Sequence, residues 1–159
     1  MKCENSMPKF EKLGLGGTFD RLHTGHALIL DLASFYSNFI QIGLISEKYL
    51  QKKPKILNKH IQSFEDRSTT LRNYFKIRHK KCSIVRIDSF GKDKQIASKS
   101  DLNALIVSQE TFSGAIAINQ ERTVLEKPPL TIILSAIVTA DTGEKLSSSR
   151  IRKELFKGK

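Results

Sequence analysis

Tryptophan is absent from this chain of 159 residues, and cysteine, methionine and proline are scarce, at two, two and four. Two thiols as far apart as Cys3 and Cys82 cannot build the multi-bridge framework of a small secreted domain and have no paired metal-ligand spacing. Both are expected to stay reduced and free. No apolar run approaches the ~18 residues of a membrane-spanning helix, and the opening "MKCENSMPKF" has no apolar stretch of the signal-peptide kind. These absences predict a cytoplasmic protein with no membrane partner. Two nucleotide-loop signatures are missing as well. The third glycine of a G-x-G-x-x-G pattern beginning at Gly14 falls on Phe19, and no G-x-x-x-x-G-K-[ST] occurs anywhere, which removes the dinucleotide fingerprint and the P-loop. Acidic residues are few, 16 against 27 lysines and arginines, for a formal net charge of +11. An excess of that size is compatible with nucleic acid, an anionic surface or an anionic small substrate, and equally with a solvated basic face.

With 39% apolar and 27% charged residues the chain is globular in composition. Its length suits one domain, taken as residues 10–159 behind a flexible tail over 1–9. Apolar periodicity alternates between the two regular kinds. Strands are predicted at 10–16, 39–45, 82–87, 103–107 and 130–137. Helices are predicted from His26 through "ALILDLASFYS", from a cap at Ser63 through "FEDRSTTLRNYFKIR", across "DKQIASKS", across "SGAIAINQERTVLEK" up to Pro128-Pro129, and over "SSSRIRKELF". The segment "SEKYLQKKPKILNKH" reads as a basic connection interrupted by Pro54. Strands alternating with helices need crossover connections. The fold class is therefore α/β, a doubly wound, mainly parallel five-stranded sheet with helices on both faces. Ligands of such sheets bind beyond the carboxyl ends of strands, which singles out 16–26, 108–114 and 139–150.

"GGTFDRLHTGH" occupies the first of these segments. Gly16 and Gly17 end a strand with bare backbone that lets a ligand come close, and the following helix offers free N–H groups and a favourable dipole to an anion such as phosphate. His23 and His26 have no third ligand at a zinc-compatible spacing, so no metal site is assigned to protein residues. Two imidazoles at a helix start can donate to phosphoryl oxygens; they can equally cap the helix and pack beneath it. Near the other end, "KLSSSRIRKE" opens a helix with three hydroxyls, which is also what an ordinary serine cap looks like.

Together the two motifs resemble the paired HxGH and ISSTxIR signatures of the nucleotidyltransferase superfamily. "LIVSQETFSGAIAINQER" and "PPLTIILSAIVTADTGEKLSSSRIR" resemble its phosphopantetheine adenylyltransferases of the archaeal and eukaryotic kind, so that the likeness covers about residues 12 to 153. The resemblance implies transfer of AMP from ATP to 4′-phosphopantetheine, giving dephospho-coenzyme A and pyrophosphate. It implies that His23 and His26 bind the triphosphate, that Thr18 aligns the nucleophile, and that a lysine of the 48–53 loop joins nucleophile and α-phosphate, Lys52 by its place in "KKP" with Lys48 as the other candidate. Gly16, Gly17, Phe19, Ser108, Glu110 and Thr111 would line the nucleotide site, with Asn119 and Arg122 on the helix beyond. Ser147, Ser148 and Ser149 would hold phosphate oxygens. At most one of Arg150 and Arg152 would join them, because residues i and i+2 of a helix diverge. Mg²⁺ would be bound mainly through the ATP phosphates, and coenzyme A or dephospho-coenzyme A would bind as product-like ligands. The chain departs from the family at Gln109, at "ADTGE" and at "SSSR", and none of these deletes a group with assigned chemistry. Transfer of AMP or CMP to another phosphorylated small molecule, such as glycerol 3-phosphate or flavin mononucleotide, is the alternative. A basic nucleic-acid-binding module is disfavoured by the lack of an aromatic stacking run.

Overall fold

A computed structural model describes residues 9–89, 91–139 and 143–156. All but one residue of the expected tail lie outside them. Strands β1 (Phe10–Gly17), β2 (Ser37–Ile45), β3 (Lys81–Ile87), β4 (Ala104–Val107) and β5 (Thr131–Leu134) form one sheet in the order β3-β2-β1-β4-β5. Every pairing is parallel, so the doubly wound α/β expectation holds. The order reverses between β1 and β4, which opens a crevice at their carboxyl ends.

Two apolar clusters follow from the period-two alternation of the strands. Leu13, Leu15, Ile40, Ile42, Leu44, Ala104 and Ile106 face one way and meet Leu30 and Ala33 of α1 (Thr24–Tyr36) and Leu71 and Phe75 of α3 (Phe64–Ile77). Leu105, with Leu102 and Leu130, faces the other way and meets Ala115 of α5 (Phe112–Val124). Helix α4 (Lys92–Lys99) packs beside α5 and carries the chain back across the sheet to β4. The last helix, α6 (Ser148–Leu155), sits at the carboxyl end of the sheet.

The larger departures from the sequence reading lie in the basic connection and at the ends of β5 and α5. The basic connection contains a six-residue helix, α2 (Glu47–Lys52), capped by Ser46, and a 3₁₀ turn at Asn58–His60. Both are too short for a periodic signal. Strand β5 ends at Leu134 rather than 137, because β4, its neighbour in the sheet, turns after Val107 into a 3₁₀ turn at Gln109–Thr111, closed by reciprocal bonds between Ser108 and Thr111. Helix α5 stops at Val124, ahead of the two prolines, where Glu126 turns left-handed at φ 54° and the Lys127 N–H donates back to the Arg122 carbonyl. The Ser63 cap is present, its hydroxyl oxygen accepting from the Asp66 N–H at 3.1 Å.

Candidate functional site

A cavity of about 470 Å³ opens at the carboxyl ends of β1, β4 and β5. Its wall draws on all three segments marked from the sequence, with residues from 15–29, from 106–111 and from 135–138 and 145–149, and adds Lys55 and Arg152.

The loop leaving β1 is strained. Phe19 and Arg21 both hold left-handed backbone, at φ 49° and 48°, a region that a bulky side chain occupies only when its surroundings compel it. Those surroundings are visible. The Phe19 ring is buried against His26 at 5.2 Å between centroids. The Arg21 N–H donates to Gln62 Oε1 at 2.8 Å, and the Gln62 N–H donates to Asp20 Oδ1 at 2.9 Å. Arg67, 1% exposed, donates from Nη1 to the carbonyls of Thr18 and Ile45 at 2.8 and 2.7 Å, which ties the exits of β1 and β2 to the start of α3.

His23 is the N-cap of α1, and its Nδ1 accepts from the Gly25 N–H at 3.1 Å. Accepting at Nδ1 places the proton of the neutral ring on Nε2, where it is a donor. Its ring stacks on His26 with centroids 3.9 Å apart. The capping role is therefore real, and it fixes the ring over the helix start. Gly25 permits this: a Cβ there would stand 3.0 Å from His23 Cε1. Burial lowers the His23 pKa. Burial, then the neighbouring His23 and Lys55, push the His26 imidazole down to about 3. Both rings are neutral at pH 7, and His26 Nδ1 is buried without a hydrogen-bond partner.

Opposite them stands the start of α6. The N-cap Ser147 Oγ accepts from the Arg150 N–H at 3.3 Å, the Ser148 hydroxyl donates to the Asp20 carbonyl at 2.6 Å, and Ser149 Oγ accepts from Arg152 Nη2 at 3.1 Å. The N–H groups of Ser148 and Ser149, in the first turn, have no acceptor within their own helix. The two arginines diverge. Arg150 pairs with Glu144 at 3.1 Å and Glu154 at 2.9 Å, whereas Arg152 turns inward, 1% exposed, onto Asp20, which is fully buried.

Lys52, at the end of α2, is exposed and is not among the cavity-lining residues. Lys55, three residues on, donates from Nζ to Thr18 Oγ1 at 2.6 Å. Burial lowers its pKa, and the nearby Arg152 and Arg67 lower it further. Sequence reasoning missed Lys55, Asp20 and Arg67. Lys55 has no signal besides its place after Pro54. Arg67 falls in phase with Phe64, Leu71 and Phe75, so a charge on the apolar face of α3 was there to be noticed.

On the β4 side, Ser108, Gln109, Glu110 and Thr111 line the cavity, and Glu110 forms a short ion pair with Lys145 of the segment leading into α6. A basic side chain thus answers the carboxylate that would otherwise repel a polyphosphate. Ile106, Val107, Ile137 and Val138 supply an apolar wall. Asn119 and Arg122 do not line the cavity. Asn119 closes two hydrogen bonds with the backbone of Leu130, and Arg122 donates to the carbonyls of Pro128, Ala97, Ser98 and Ser100. Among the described residues no group of three or more His, Cys, Asp or Glu is placed to hold a metal ion, and no helix is long and apolar enough to cross a membrane.

Over residues 15–154 the chain matches the cytidylyltransferase-like family. It is 36% identical over 152 residues to the phosphopantetheine adenylyltransferase of Pyrococcus abyssi, a span that covers 94% of each chain. Among solved structures, a protein of unknown function from Archaeoglobus fulgidus is similar with a TM-score of 0.65 and 28% identity, over 86% of this chain and 99% of the other. Pantothenate synthetase from Thermus thermophilus, with a TM-score of 0.61 and 12% identity over 92% of this chain and 63% of that one, shares the fold alone.

Proposed function

The chain belongs to the phosphopantetheine adenylyltransferases of the cytidylyltransferase-like family, and we propose that it transfers AMP from ATP to 4′-phosphopantetheine in coenzyme A synthesis. A phosphate oxygen of phosphopantetheine attacks the α-phosphorus, the bond from that phosphorus to the bridging oxygen breaks, and pyrophosphate leaves. The attacking oxygen is already ionised at neutral pH, so the site needs no general base. It has to align two anions and neutralise the charge that builds between them.

The observation that carries this reading is convergence. The stacked neutral histidines at the start of α1 and the serine-rich start of α6 face one cavity, and the Lys55 ammonium stands beside them on Thr18. In this reading His23 donates from Nε2 to the triphosphate, and His26 serves the α-phosphate. Lys55 bridges α-phosphate and incoming phosphate, with Thr18 orienting the latter. Ser147, Ser149 and the first-turn N–H groups of α6 hold the β- and γ-phosphates. The base lies toward the apolar wall of Ile106, Val107, Ile137 and Val138, with Ser108, Glu110 and Thr111 at its polar edge. Among the described residues Glu110, already paired with Lys145, is the one carboxylate lining the cavity, a donor set that suits Mg²⁺ held by phosphate oxygens and water rather than by a protein cage. Bound in that way, the ion would neutralise the triphosphate and the departing pyrophosphate.

The test is incubation with ATP, Mg²⁺ and 4′-phosphopantetheine while pyrophosphate and dephospho-coenzyme A are followed. Equimolar formation of both supports the proposal. No product, alongside turnover of CTP with glycerol 3-phosphate, would replace it with the cytidylyl reading.

A further inference from the structure

We infer that Asp20 and Arg152 are a buried positioning pair for the transfer, orienting Ser149 toward the triphosphate and fixing the backbone next to Lys55, rather than ligands of the phosphates themselves. The inference rests on the phosphate site proposed above.

Arg152 forms part of the cavity wall, yet it already donates four hydrogen bonds: Nη1 to Asp20 Oδ2, Nε and Nη2 to the Ile56 carbonyl at 3.1 and 2.9 Å, and Nη2 to Ser149 Oγ at 3.1 Å. A guanidinium has five N–H donors and no acceptor, so at most one is left for a ligand. Its charge is also already matched, because the Asp20 carboxylate is fully buried against it.

The direction of each bond divides the three serines. Because Arg152 can only donate, Ser149 Oγ accepts from it, and the single hydroxyl proton of Ser149 remains for another acceptor. Ser147 is in the same position, its oxygen accepting from the Arg150 N–H. Ser148 is the reverse: its partner is the Asp20 carbonyl, which can only accept, so its proton is already used. Ser147 and Ser149 therefore keep donors for phosphate, and Ser148 fastens α6 to the loop after β1. Through Ile56 the same guanidinium holds the residue following Lys55, whose ammonium lies 2.6 Å from Thr18 Oγ1. One ion pair thus sets both the phosphate donor and the bridging cation. An error of about 1 Å between such groups costs on the order of a hundredfold in rate.

The experiment is a double-mutant cycle of Asp20→Asn and Arg152→Gln, read both in kcat with ATP and 4′-phosphopantetheine and in affinity for inorganic tripolyphosphate by calorimetry. A positioning pair predicts that each single variant lowers kcat by about 30- to 100-fold, and that the double variant is no worse than either. Arg152→Lys should behave like Arg152→Gln, because an ammonium cannot span Asp20, Ile56 and Ser149 together. Multiplicative losses in the double variant would overturn the inference. So would opposite signs, with Asp20→Asn tightening tripolyphosphate by freeing the guanidinium while Arg152→Gln loosens it.

A single variant that strands a buried charge can fail to fold, and the double variant then decides alone. Ser149→Ala should cost about tenfold in tripolyphosphate affinity in the native background and less than about threefold in the double-variant background. An equal cost in both backgrounds refutes the pair. If the native protein binds tripolyphosphate but does not turn over phosphopantetheine, the substrate reading fails by itself, and the affinity arm still judges Asp20 and Arg152.

Discussion

Replacing Lys55 by methionine removes one charge and keeps most of the stem. The Lys55 ammonium is tied to Thr18 Oγ1 at 2.6 Å, and burial together with Arg152 and Arg67 lowers its pKa. A unit charge about 4 Å from a phosphoryl oxygen is worth about 4 kcal/mol at an effective dielectric of 20. Water entering the vacated space returns part of that, so the expected fall in kcat/KM for Lys55→Met is on the order of 10²- to 10³-fold. Lys52→Met, at an exposed position outside the cavity, should stay within about threefold of the native rate. Lys55→Arg keeps the charge but cannot reproduce the single contact to Thr18, and should fall between the two.

The assay is continuous pyrophosphate release at saturating Mg²⁺, with urea midpoints showing that each variant is folded. The pH profile gives a second reading with its own sign. A lysine whose pKa lies below the ordinary value of 10.5 loses its charge earlier as pH rises, so the native enzyme should show an alkaline decline that Lys55→Arg lacks. If Lys52→Met is crippled while Lys55→Met remains active, the assignment of the cation is wrong, and with it the geometry of attack.

His26 supplies a pH test of stability. Its pKa is about 3 in the fold against 6.5 for the free group, so the unfolded chain binds the proton more tightly. The stability is full above about pH 6.5 and is lost as pH falls toward 3, with about 2–3 kcal/mol gone at pH 4.5 on account of this residue. Urea midpoints at pH 7 and 4.5 should therefore differ less in His26→Gln than in the native protein; equal differences would show that the imidazole is not held neutral. Gly25→Ala places a methyl 3.0 Å from His23 Cε1 and should raise KM for ATP severalfold while barely moving the urea midpoint; an unchanged KM would remove His23 from the triphosphate site. Arg67→Met leaves the buried carbonyls of Thr18 and Ile45 without their donor and should cost about 2–5 kcal/mol by urea titration, with loss of activity through Thr18; a cost below about 1 kcal/mol would mean that the guanidinium only fills space.

The architecture was legible because its signals are local. Alternating apolar periods locate β1 to β5 and the longer helices, and a parallel sheet with crossovers leaves its strand ends where the motifs lie. The short pieces were not legible. Residues 47–52 make fewer than two turns of helix, and only the Ser46 cap distinguishes them from a basic loop. That misreading carries directly into the site. Once Lys48 and Lys52 belong to a helix that Pro54 follows, neither can turn back to the β1 loop, and the lysine after the proline can. Arg152 shows a different limit. Divergence of residues i and i+2 separates it correctly from Arg150, but its partner Asp20 is 132 residues away in sequence, and no periodicity or motif spacing reports a pair of that kind.

The formal charge of +11 takes on a more specific meaning beside these contacts. Most of the excess is lysine on exposed positions, where it contributes a general attraction for anions. Three cations converge on residues 18–20: Arg67, Arg152 and Lys55. Arg67 is answered by backbone carbonyls and by Glu47 at 3.8 Å, and Arg152 by Asp20. Among the described residues Lys55 forms no ion pair; its Nζ rests on a neutral hydroxyl, with Arg152 and Arg67 disfavouring its charge and the more weakly acting Asp20 and Glu110 favouring it. The histidines beside it avoid adding to that repulsion by staying neutral, and can still donate. Among the described residues folding thus leaves at the cavity a positive charge that no ion pair matches, its nearby carboxylates Asp20 and Glu110 being already paired with Arg152 and Lys145, which is the electrostatic form of a site completed by an anionic ligand.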